Sequence, residues 1–125
     1  MERAKPMRPL RDLLARLPLL PVSCGDVDYK AADASLLVSI GDDAEVTLQV
    51  IHHGVGCIGQ LLSHSAPVIE DGTISSDTVE HLGYLMAELG DMAASLMTLA
   101  AHCRQQTLDW TGAQSEPPAC RCQRA

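Results

Sequence analysis

From Val79 to Cys103 an apolar residue recurs at alternating steps of three and four: Val79, Leu82, Met86, Leu89, Ala93, Leu96, Ala100 and Cys103. That spacing draws one stripe along an α-helix. Ser75 is placed as its N-cap, Ile74 and Val79 as a hydrophobic staple, and Asp77 and Glu80 where the helix dipole favours negative charge. These signals predict a helix over about 76–105. Leu85, Met92 and Leu99 add a second line beside the first, one residue in every seven.

The segment before it supports two readings. Residues 35–40 and 45–51 are rich in β-branched side chains, with Gly41-Asp42-Asp43 between them, as in a β-hairpin at 35–51 and an α+β fold. Alternatively, a helix starts near Asp42, where Asp42 and Glu45 have capping-box spacing. Ala44, Leu48, Ile51, Val55, Ile58, Leu62 and Ser65 then alternate by four and three, and all but Ser65 are apolar. The strand accounts for only part of this run, so a helix over about 43–65 is expected. Val46, Val50, Cys57 and Leu61 widen its apolar face. Gly54, Gly56 and Gly59 each cost about 1 kcal/mol relative to alanine, so a neighbouring backbone is expected close against them.

Upstream, Pro9 suits a first helical turn, Leu10, Leu13, Leu14 and Leu17 share one face, and Pro18 ends the run. The chain thus divides into a basic helix and linker (1–33), an acidic helical hairpin (34–106) and a Cys-containing, mobile tail (107–125). The expected fold is all-α: an antiparallel hairpin of 43–65 and 76–105 with a short N-terminal helix. The apolar faces are wider than a two-helix seam requires, which predicts dimerisation into a four-helix bundle.

Composition narrows the class. The chain has 125 residues, is 46% hydrophobic and 20% charged, and contains no Phe, so its core is built from aliphatic side chains and methionine. It is neither disordered nor long enough for two large domains, and no run reaches the length of a membrane span. The net charge of −7 is concentrated: residues 31–103 hold ten acids and no Lys or Arg, while the first 30 residues are net basic. Such a segment repels phosphate, which argues against direct nucleic-acid binding and for a partner with a basic surface. Five cysteines do not form an even disulfide framework, and Arg16, Pro18 and Pro21 interrupt the signal-like Leu17–Val22 run. A reducing, cytoplasmic setting is expected. Few Lys, no Asn and no Phe suggest a GC-rich, bacterial coding sequence.

No motif establishes catalysis. Gly54-Val55-Gly56-Cys57-Ile58-Gly59 spells G-x-G-x-x-G, but the βαβ unit that gives those glycines their role is missing. His52, His53, His64, His81 and His102 match no zinc or di-iron spacing. Ser63, His64, Ser65 and Asp77 cluster near the turn without a nucleophile elbow, and no enzyme, cofactor or resident metal is expected. The candidate site is a protein-binding face: Leu85, Met92 and Leu99, rimmed by Glu80, Glu88 and Asp91. The expected function is that of an acidic helical adaptor, inhibitor or assembly subunit, in one variant imitating nucleic-acid charge to block a basic groove. The rival class is a metal- or redox-responsive sensor built on Cys120 and Cys122, joined by His102 and Cys103.

Overall fold

The computed structural model describes residues 8–110. Helix α1 (Pro9–Arg16) runs into a short 3-10 turn at Leu17–Leu19. A two-residue-per-strand hairpin, β1 (Val22–Ser23) and β2 (Asp26–Val27), follows. The body is α2 (Ala34–His64), a short α3 (Ala66–Glu70) and α4 (Ser76–Gln106). The long helices are 31 residues each, about 45 Å by helical rise, and lie antiparallel. The fold is helical, as the periodicity predicts.

The β-hairpin reading of 35–51 is overturned, because the whole stretch is α-helix. The helix also starts nine residues before the expected position 43. The β-branched run conceals a helical stripe: Leu37, Ile40, Ala44 and Thr47 are all buried on one face. Gly41 serves close packing rather than a turn, since a Cβ there would lie 3.4 Å from Cys103 Cβ on α4. Asp42 and Glu45 form no capping box, because α2 runs through them. A hairpin does occur within the expected linker 18–33. Cys24 and Gly25 both have positive φ, as a two-residue type I′ turn requires.

The seams follow the sequence closely. Every α4 position from Val79 to Cys103 in the three–four series is buried or half-buried, as is every α2 position from Ala44 to Ser65. Ser75 caps α4, its Oγ accepting from Thr78 N–H at 3.3 Å. At the turn, Pro67 opens α3, and Gly72 at φ +81° carries the chain back towards Ser75.

Fully buried side chains are confined to one end of the hairpin. Leu13, Leu20, Leu37, Ile40, Ala44, Leu96, Ala100 and Cys103 form one cluster, which Tyr29, Leu36, Leu48 and Leu99 flank. This is the end that α1 covers. Arg16 pairs with Asp43, while Pro9 and Leu10 reach Val50 and Ile51, so α1 runs antiparallel to α2. Towards the turn, two helices alone cannot enclose each other, and Val55, Ile58, Leu62, Leu82 and Met86 stay half-exposed.

Within one chain, no backbone of the described residues packs against Gly54, Gly56 and Gly59, contrary to expectation. A Cβ at any of them, or at Gly83 or Gly90, would meet no atom within 4 Å. On α4 the exposed stripe Gly83, Ala87, Gly90, Ala94 and Ala101 is made of small residues, broken by Met97, which is 62% exposed. Glycine at an open helical site raises the chain's entropic cost of folding without a packing return. Gly90→Ala is therefore expected to raise the unfolding free energy by about 0.5–1 kcal/mol, read as a higher urea midpoint. A lowered midpoint would mean that this face is closely covered.

Candidate functional site

The flank of the hairpin that α1 partly covers exposes Val50, Leu61, Leu85 and Met92. On α2, Val50, Gly54, Cys57 and Leu61 are spaced by four, three and four, and so share one stripe. On α4, Leu85 and Met92 lie on the facing stripe. Val50 and Met92 line one apolar groove of about 660 Å³, which Ile51 and Leu89 floor and Leu10 and Leu14 of α1 wall. Arg8 and Arg11 stand at its α1 edge. Beyond the N-terminal end of α1 none of the described residues covers the floor, with Leu61 67% and Leu85 50% exposed.

The residues singled out from the sequence divide along this flank. Leu99 is packed against the core cluster at the covered end. Met92, 38% exposed, stands at the groove where α1 stops, and Leu85 lies on the bare half. Glu80, Glu88 and Asp91 are exposed along the outer edge of α4. Glu80 accepts a hydrogen bond from Tyr84 at 2.7 Å, which raises the Tyr84 phenol pKa. Among the described residues none of these three acids has a cationic partner within ion-pair distance.

Two other acids are occupied. Arg104 donates through Nε and Nη2 to both Glu45 carboxylate oxygens, at 2.9 and 2.8 Å, and through Nη2 to Asp42 at 2.7 Å. This fork ties α4 to α2 at the core end and fits the planar guanidinium. The hydrogen bonds from Arg104 hold the Glu45 carboxyl below its ordinary value of 4.5. A carboxyl that titrates lower when folded contributes its stabilisation in full above the ordinary range and loses it as pH falls through the folded value. Arg104→Gln is expected to lower the urea midpoint at pH 7, and the difference from the native chain should shrink as pH drops below 4.5. A difference constant with pH would show that Glu45 is not the partner that matters.

The other motifs are structurally ordinary. Gly54 to Gly59 lie in mid-helix, where the backbone N–H groups are engaged along α2 and cannot cradle a phosphate. His53, His64 and His81 each donate Nδ1–H to a carbonyl on the preceding turn of their own helix, at 2.7–2.8 Å, so His64 turns to Gln60 rather than Asp77. His102 stacks on Tyr29 with ring centroids 4.9 Å apart. Cys103 is fully buried, and burial pushes its thiol pKa up, opposite to the shift that makes a thiol reactive. Cys120 and Cys122 lie outside the described residues, and no three His, Cys, Asp or Glu side chains converge among those that are described.

Sequence reasoning assigned Leu85 and Met92 to the site and placed Val50, Cys57 and Leu61 on the widened apolar face of α2, but assigned no residue of α1 or α2 to the site. Leu10, Leu13 and Leu14 share one face in the sequence, but only Leu13 of them is fully buried. The signal was present: three leucines on an eight-residue helix, with Leu17 just after it, are more than one narrow contact can bury. Comparisons with protein-family models, with curated proteins and with solved structures found no match. No helix among the described residues is long and apolar enough to cross a membrane.

Proposed function

We propose that this chain is a small acidic protein-binding or regulatory factor, an adaptor, inhibitor or assembly subunit, that docks its partner on the bare half of the α1 flank. The observation that carries this reading is exposed Val50, Leu61, Leu85 and Met92 on one flank, beside a rim of acids with no cationic partner among the described residues. Apolar surface of this kind gains about 25 cal/mol per Å² on burial, and it is carried on formed helices. Glu80, Glu88 and Asp91 along one edge select a partner with basic residues there and speed the encounter. Pairing of two such flanks completes a four-helix bundle. Among the described residues Cys24, Cys57 and Cys103 are free.

The test is capture of partners by the full chain and by two charge variants. Leu85→Glu on this flank is expected to abolish capture, and Met97→Glu on the opposite flank to leave it intact. Capture by the native chain should weaken as salt rises. Equal capture by all three chains would remove the proposed face.

A further inference from the structure

We infer that the occupant of the open flank is the same flank of a second copy, arranged so that each α1 sits in the other copy's bare half. This rests on the protein-binding reading above and gives it a partner. The flank is stepped. Helix α1 stands proud over the part of the floor from Asp43 to Ile51, and the floor from Gly54 to Leu61 is recessed and, among the described residues, bare. A two-fold axis lying in the flank and crossing the helices turns one copy end for end, so that raised half meets recess. The outward leucines of α1, Leu10 and Leu14, are 38% and 58% exposed in one copy. In the pair they lie on Leu61 and Leu85 of the other.

Charge sets the same register. Because α1 is antiparallel to α2, its Arg8–Arg11 end is the one beside the recess. Among the described residues Arg8 and Arg11 form no ion pair, nor do Glu88 and Asp91. Turning the second copy end for end brings the α1 cations of each chain onto the acidic α4 edge of the other. The alternative axis, along the helices, would set α1 on α1 and Arg on Arg, which sterics and like charge both oppose. The axis passes near Gly54 and Met92, where the space beside Gly54 admits the approaching α2 backbone. A face two helices wide and about 30 Å long hides roughly 600 Å² per copy, about 1,200 Å² in all, the lower bound for a stable pair.

The experiment is sedimentation equilibrium on the full chain. Twice the chain mass is expected. Leu14→Glu and Leu85→Glu should each weaken pairing about tenfold or more, with helical circular dichroism retained, since both side chains face outward. Arg11→Glu and Glu88→Arg should each weaken it by about twofold to fivefold, and the double variant should restore it. A monomer at the highest soluble concentration overturns self-pairing. The protein-binding reading survives that result if Leu85→Glu still abolishes capture of another protein, and falls with it otherwise. A dimer indifferent to both glutamate variants also overturns the inference, because it must then use another face.

Discussion

Replacing Ile40 by alanine is expected to lower the unfolding free energy by about 2–5 kcal/mol, a large fraction of the stability of a domain this size. Ile40 has no exposed surface and sits among Leu13, Leu37, Ala44, Leu96 and Cys103, the one place where three helical layers meet. Deleting three carbons there forfeits their transfer free energy and leaves a cavity that α1, tied by Arg16 to Asp43, is poorly placed to refill. Leu61→Ala removes a side chain of the same size from the same helix near the turn, where it is 67% exposed. Its expected cost to the single chain, at concentrations too low for pairing, is within about 0.5 kcal/mol. Urea denaturation of the two variants measures the contrast. Equal losses would mean that the core is not confined to the α1 end.

Leu13→Ala has a comparable expected cost of about 2–5 kcal/mol and a different consequence. Leu13 is 1% exposed and is the sole fully buried side chain of α1, so it is the main anchor of that helix to the hairpin. Without it, eight residues of helix are too short to persist alone. The variant should therefore release α1 before the hairpin unfolds. Trypsin reports this directly, because residues 31–103 contain no Lys or Arg. Cleavage after Arg11 and Arg16 should accelerate while a fragment from 31 to 104 persists. If both regions were lost together, α1 and the hairpin would form one cooperative unit.

Helix α4 was legible in full, since its stripe, staple and Ser75 cap all point to the same element. Helix α2 was legible from Ala44 onward and illegible before it. Val38 and Ile40 favour strands, and Gly41-Asp42-Asp43 reads as a turn whenever only neighbours in sequence are considered. What makes that stretch helical lies 60 residues away: Cys103 needs Gly41 beneath it, and Arg104 collects Asp42 and Glu45. The hairpin at Cys24-Gly25 escaped notice because its first turn residue is Cys rather than the usual Asn, Asp or Gly. Of the candidate site, the apolar line and its acidic rim were visible in the period of α4. Its limits were not, because where α1 stops depends on the Arg16–Asp43 pair and on Leu13, contacts that no periodicity encodes.

With its enclosed side chains gathered at one end, the hairpin has a built-in gradient of local opening. Amide protons around Leu37–Ala44 and Leu96–Cys103 can exchange with solvent only when the α1 end comes apart. Those flanking the Pro67–Ser75 connection are released by a partial parting of the helix tips that leaves the far end intact. The polypeptide therefore breathes like a clothes-peg held at its spring, and the jaws that loosen first carry Leu61 and Leu85.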